Sequence, residues 1–163
     1  MSDPGRYIFD VSQTSQTRDP DDELLETVLT NLASEAGISK RYPGFDLLVV
    51  HPETYEAEWL IEIKASTADN GRGSMTLNEW RTAERDSTQQ RYWLYVVGNL
   101  SVDATGEPFI RRIENPAKAL YAREEAEKRV QSKVRVYTAD FEEGVEVKET
   151  RYTPRSEQVE NRS

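Results

Sequence analysis

Two short apolar runs constrain most of what this chain can become. In Phe45-Asp46-Leu47-Leu48-Val49-Val50 only the aspartate is polar, and Tyr92-Trp93-Leu94-Tyr95-Val96-Val97 is unbroken. Short runs dominated by β-branched, aromatic and aliphatic residues read as strands. Apolar residues at consecutive positions predict that the first is covered on both faces. Residues 58–64 read as a further strand, and residues 51–56, with Pro52 and several polar side chains, turn the chain before it. The spacing predicts an antiparallel pair, 45–50 with 58–64, joined by a loop longer than the tightest hairpins.

Helical signals alternate with these strands. Asp19-Pro20-Asp21-Asp22 places acids where a helix N-terminus favours them, and Leu25, Val28, Leu29 and Leu32 fall on one face. With Gly37 as the stop, the first helix is expected over roughly 21–36. Thr76-Leu77-Asn78-Glu79 has the capping-box pattern and predicts a helix running to about Gln89. Asn115-Pro116 predicts a third, to about Val130, with proline in its first turn. Tyr7-Ile8-Phe9 suits an edge strand, 109–113 and 134–137 read as later strands, and 66–74 as a small, polar loop. Residues 1–19 are expected to be an arm or edge strand, 20–149 one domain, and 150–163 a disordered polar tail. The order predicts an α/β domain: a mixed sheet flanked by helices (αβββαβ) with a C-terminal strand-helix-strand extension.

Cysteine is absent, which excludes disulfides and thiolate metal sites, and no apolar run approaches the roughly 18 residues that span a bilayer. The start, MSDPGRYIF, is not a signal peptide, so a cytoplasmic location is expected. A net charge of -9 argues against a general phosphate-neutralising surface. The chain has six Lys against fifteen Arg, and twenty Glu. A Lys-poor, acidic surface suits a high-salt cytoplasm, or alternatively a face for a partner protein.

Against this background Asp46, Glu62 and Lys64 stand out. Glu62 and Lys64 are two apart on a strand, so both leave the same face, opposite Ile61 and Ile63. Asp46 begins the neighbouring strand and approaches Glu62 if the pair forms as expected. Two carboxylates about 5 Å apart repel by roughly 3 kcal/mol at an effective dielectric of 20. A divalent cation offsets that, and hard oxygens suit Mg²⁺ or Mn²⁺. Lys64 beside them suits the positioning of water against a phosphate, which is what phosphodiester hydrolysis requires. An E-x-K triplet alone is weak: a chain with this Glu and Lys content holds about one by chance. Glu146-Val147-Lys148 is a second and reads as a solvated strand edge. The bland reading of the first is a surface ion-pair cluster.

Four blocks carry more weight than the triplet. Pro43-Gly44-Phe45-Asp46, Ile61-Glu62-Ile63-Lys64, Met75-Thr76-Leu77-Asn78-Glu79-Trp80 and Tyr92-Trp93-Leu94-Tyr95-Val96-Val97, in this order, resemble a family of undefined-function domains with the PD-(D/E)xK nuclease fold. Ile113-Glu114-Asn115-Pro116 fits as well, and the resemblance spans about residues 20–120. Domains of that family resemble Mrr-type restriction endonucleases and are appended to helicases, ATPases and defence proteins. The resemblance implies that Asp46 and Glu62 are metal carboxylates, that Lys64 is the catalytic lysine, and that DNA is the substrate. It also implies an acid on the first helix, for which Glu26 is the choice and Glu23 the fallback. It is compatible with a homodimer or a helicase or ATPase partner. The segment between Gly37 and Gly44 is short, so the first core strand is abbreviated or supplied by residues 7–11. The alternative function is a non-catalytic DNA- or protein-binding module on the same fold.

Other residues carry two readings each. Asn78 and Glu79 suit either the site or the capping box. Trp80 reads as core. Gln89 and Gln90 suit the active face or a plain helix end. Arg72, with Arg81 and Arg85 one turn apart, suits a phosphate-contacting strip or ordinary surface charge. His51 reads as a turn residue.

Overall fold

A computed structural model of the chain describes residues 5–12, 23–65, 73–101, 106–126, 132–141 and 148–151. The elements in chain order are β1 (Tyr7–Asp10), α1 (Glu23–Ala36), β2 (Leu47–Val50), β3 (Ala57–Ala65), β4 (Gly73–Thr76), α2 (Leu77–Glu84), β5 (Tyr92–Gly98), β6 (Phe109–Glu114), α3 (Pro116–Ala119), β7 (Leu120–Ala126), β8 (Ser132–Phe141) and β9 (Lys148–Arg151). A short 3-10 turn, Gln89–Arg91, leads into β5. Six strands form one mixed sheet in the order β1-β2-β3-β5-β6-β9, and β4-β8-β7 form a second, antiparallel sheet.

The centre of the large sheet is the parallel pair β3 and β5, with Glu62 beside Leu94 and Lys64 beside Val96. A parallel pair requires a crossover, here made by β4 and α2. β2 runs antiparallel to β3 on its other side, with Leu48 opposite Leu60. β1 then supplies the outer strand, Phe9 opposite Leu48. Residues 7–10 thus take the place that the short 37–44 segment leaves vacant.

Side-chain alternation explains where the core lies. Leu48, Val50, Leu60, Tyr92, Leu94 and Ile113 turn to the face on which α1 packs, burying Leu25, Val28, Leu29 and Leu32. Trp80 and Ala83 of α2 and Ala119 of α3 close the same core. Val49 and Ile61 are buried on the opposite face. There Trp59, Trp93 and Tyr95 form a row of edge-to-face rings, with the Arg6 guanidinium 4.9 Å from the Trp59 ring centre. Among the described residues the flanking helices share one side of the sheet. The apolar run of β2 thus serves two faces, one covered by helices and the other shared with the aromatic row.

Several expected boundaries shift. α1 ends as expected, with Gly37 in the left-handed region (φ +62°). α2 ends at Glu84 instead of reaching Gln89, because the Thr88 hydroxyl donates to the Thr82 carbonyl and Arg85 is extended. The third helix does not reach Val130. It is one turn, Pro116–Ala119, after which β7 pairs with β8. Strand pairing there overrides the helix propensity of the Glu- and Ala-rich segment. Residues 73–74, expected in a loop, belong to β4, which pairs with β8, and β8 is longer than the expected 134–137. Thr150 and Arg151, expected in the tail, lie in β9 beside β6. The expected helix start at 19–22, the loop residues 66–72, Glu146 and Val147 and the tail beyond 151 lie outside the described residues.

The core assignment predicts a contrast between two aliphatic truncations. Leu29→Ala, at a fully buried site, is expected to cost about 2–5 kcal/mol of unfolding free energy. Ile8→Ala, at a side chain 64% exposed on the edge strand, should stay within about 0.5 kcal/mol of wild type. Chemical denaturation measures both, and equal losses would contradict the assignment.

Candidate active site

The site begins with a clamp on the turn that precedes Asp46. Gly44 has φ +85°, and a Cβ there would come within 2.6 Å of the Thr82 hydroxyl and 3.0 Å of the Asn78 carbonyl oxygen. Only glycine allows the turn to lie this close to α2. The Tyr92 hydroxyl donates to the Gly44 carbonyl at 2.6 Å, and the Asn78 side-chain amide donates to the Tyr42 carbonyl at 2.9 Å. The Thr82 hydroxyl lies 3.2 Å from the Pro43 carbonyl and 2.9 Å from that of Asn78. Pro43-Gly44-Phe45 is therefore held from below by β5 and from the side by α2.

Asp46 leaves this turn already committed to the sheet. Its N–H donates to the Ile61 carbonyl at 2.9 Å, and its carbonyl accepts from Val11 N–H at 2.7 Å. Its Oδ2 accepts the Ile63 N–H at 2.8 Å. That bond brings the carboxyl back across β3 between Glu62 and Lys64, as the predicted strand pair required. Burial raises the Asp46 pKa above the usual carboxylate value. The Ile63 hydrogen bond and Lys64 oppose the rise, and Glu79 adds to it.

Glu62 is 2% exposed, with its strand neighbours Leu60 and Leu94 in the core. Burial pushes its pKa up to about 8. Lys64 works against that shift, while Glu79 and Asp46 reinforce it. Lys64 forms ion pairs with Glu62 and with Glu79, the second at 2.8 Å. Burial disfavours the Lys64 charge, but the two carboxylates outweigh it and raise its pKa.

Glu79 holds two positions at once. Its Oε2 accepts the Thr76 N–H at 2.8 Å while the Thr76 hydroxyl accepts the Glu79 N–H at 3.2 Å, completing the capping box. The same Oε2 accepts from Lys64. The two readings of Glu79 therefore merge, since the cap of α2 is also the outer partner of the strand lysine. Asp46, Glu62 and Glu79 all line one cleft of about 650 Å³, bounded by Val11, Ser12, Ser39, Arg41, Tyr42 and the first turn of α2.

Of the remaining described candidates, Asn78 alone lines the cleft. Glu26 is exposed and ion-paired with Lys40, outside the residues that line the cleft. Asn78 lines the cleft and ties down Tyr42. Gln89 bonds to Asp86 at 3.0 Å in the turn after α2, and Arg81 and Arg85 are exposed and do not line the cleft. The His51 Nδ1 accepts from the N–H groups of Glu53 and Thr54 at 3.2 and 3.3 Å, a turn role. Arg72 lies outside the described residues. Ser12, Ser39, Arg41 and Tyr42 escaped the sequence reading, for no periodicity or motif marks them.

Among the described residues no group of three or more Asp, Glu or His side chains forms a ready cage for a metal ion. The donor set does fit a hard cation of the Mg²⁺ type, which takes one or two carboxylates and keeps several waters. Asp46 commits one oxygen to Ile63, leaving the other for a ligand, and Glu62 stands beside it with an elevated proton affinity that a cation would relieve.

Residues 23–110 match the family model described as Protein NO VEIN, C-terminal, over more than half of the chain. The chain belongs to that family. The NO VEIN C-terminal match takes in the clamp, both acids, Lys64, α2 and β5, and stops within β6. No curated protein and no solved structure matches the chain. Among the described residues no helix is long and apolar enough to cross a membrane.

The buried Glu62 predicts how stability depends on pH. Its folded pKa, about 8, lies above the ordinary value of 4.5, so the folded state holds this proton more tightly. The associated stability is present below about pH 4.5 and is lost as pH rises through about 8. Glu62→Gln, measured by thermal melting in EDTA, should gain on wild type as pH rises from 5 to 9. A difference that does not change with pH would contradict the assignment.

Proposed function

We propose that this NO VEIN C-terminal domain is a metal-dependent nuclease with a restriction-endonuclease-like core, hydrolysing DNA phosphodiester bonds. The observation that carries the reading is that Asp46, Glu62 and Glu79 line one cleft while Lys64 is ion-paired to two of them, Glu62 and Glu79. The order of the sequence blocks, all four within the family match, supports it.

In this reading Asp46 and Glu62 hold Mg²⁺ or Mn²⁺, which when bound supplies Lewis acidity at the phosphoryl oxygens. Lys64 holds the attacking water in line with the phosphorus and stabilises the charge that develops there. The water oxygen bonds to phosphorus and gives up a proton to solvent, the opposite P–O bond breaks, and the departing oxygen takes up a proton from solvent. Glu79 is a positioning residue, holding the Lys64 ammonium from the capped start of α2. A restriction or anti-phage assembly in the cytoplasm, with a helicase or ATPase subunit, is the setting this chemistry suits.

One observation favours the rival, a binding module without catalysis. Lys64 is engaged by two carboxylates, which leaves it less available to a substrate. Incubation of plasmid DNA with Mg²⁺ or Mn²⁺ separates the two readings. The wild type should cleave, and Lys64→Ala and Asp46→Asn should each lose at least about a hundredfold in rate. Glu79→Gln should lose less, because Thr76 can still be capped by the amide oxygen. Equal cleavage by wild type and Lys64→Ala, or none by the wild type in either metal, would contradict the proposal.

A further inference from the structure

We infer that Tyr42 and Arg41 form a base-stacking platform at the wall of the cleft, so that the site takes an unpaired DNA strand in preference to a duplex. The inference rests on the nuclease reading for the kind of ligand, and on its own observations for the platform.

Tyr42 is 53% exposed although it lines the cleft, and its place in the fold is fixed by its backbone. Its N–H donates to the Ser39 hydroxyl at 3.2 Å, and its carbonyl accepts the Asn78 amide at 2.9 Å. The backbone is thus anchored at the cleft wall while the ring stays outside the core. The Arg41 guanidinium stands 5.2 Å from the ring centre, within the range of a cation–π pair. Aromatic rings and arginine planes held open beside an active site are what unpaired bases stack on.

The position fits the chemistry. Tyr42 precedes Asp46 by four residues, so their Cα atoms are no more than about 14 Å apart, within about four stacked nucleotides. A base on Tyr42 therefore leaves a phosphate of the same strand, within about four nucleotides, in reach of Asp46.

Charge selects against the duplex. Duplex binding depends on neutralising many phosphates at once. Among the described residues lining the cleft, Arg41 is the one basic side chain, against Asp46, Glu62 and Glu79, and the chain carries a net charge of -9. Stacking does not require that charge, because every base offers a π-face.

Fluorescence anisotropy on the full chain tests this, using a labelled single-stranded oligonucleotide and a blunt duplex of the same sequence in Ca²⁺. The wild type should bind the single strand more tightly than the duplex. Tyr42→Ala should weaken single-strand binding by at least about tenfold and leave the melting temperature unchanged, and Tyr42→Trp should restore binding. Single-strand binding that Tyr42→Ala leaves intact, duplex binding as tight as single-strand binding, or no binding of either probe would overturn the inference. Failure of the nuclease reading is separable. A protein that binds the single strand through Tyr42 but cleaves no DNA loses the hydrolysis and keeps the platform. One that cleaves DNA but ignores the Tyr42 substitution does the reverse.

Discussion

The hydrogen bond from Ile63 N–H to Asp46 Oδ2 is the contact on which the site depends. It joins a side chain just before β2 to the backbone of β3, between Glu62 and Lys64, whose side chains leave the same face of the strand. Asp46 also bonds through its own N–H to Ile61 and through its carbonyl to Val11. A one-residue slip between β2 and β3 would break these contacts and turn Glu62 and Lys64 to the aromatic face. Register and chemistry are therefore set together. The clamp on Gly44 by α2 and Tyr92 fixes the chain just before this point and leaves Asp46 little freedom.

Charge balance follows from that geometry. Glu62 is buried between apolar neighbours, and an isolated carboxylate there would favour its neutral form. Lys64 relieves part of the cost, and Glu79 places a second carboxylate on Lys64 from the start of α2. Helix cap and strand thus meet in one group of charges. Three carboxyl groups against one half-buried ammonium leave carboxyls in excess, a donor set that would suit a hard divalent cation. Exposed Arg81 of α2 and Arg85 just after it do not compensate, since neither lines the cleft.

Much of this was legible in the sequence because it rests on local patterns. Alternation placed Glu62 and Lys64 on one face, the capping box marked the start of α2, and the apolar run located β2. What was hidden depends on contacts between distant segments. The segment after Ala119 is a good helix by composition, yet β8 offers it a partner, and pairing prevails. α2 stops early because the Thr88 hydroxyl reaches the Thr82 carbonyl, which a spacing of six residues does not advertise. Arg41 and Tyr42 matter through their place on the wall of a cleft, and no motif encodes that wall. Glu26 shows the opposite case: its helix was correctly read, but its side chain pairs with Lys40 on the outside.

Manganese binding, followed by the loss of the free Mn²⁺ signal in electron paramagnetic resonance, tests the central claim most directly. One site is expected in the wild-type protein, lost in Asp46→Asn and in Glu62→Gln but kept in Glu26→Gln. A wild-type protein that takes up no Mn²⁺, or one whose binding survives removal of both cleft carboxylates, would contradict the account.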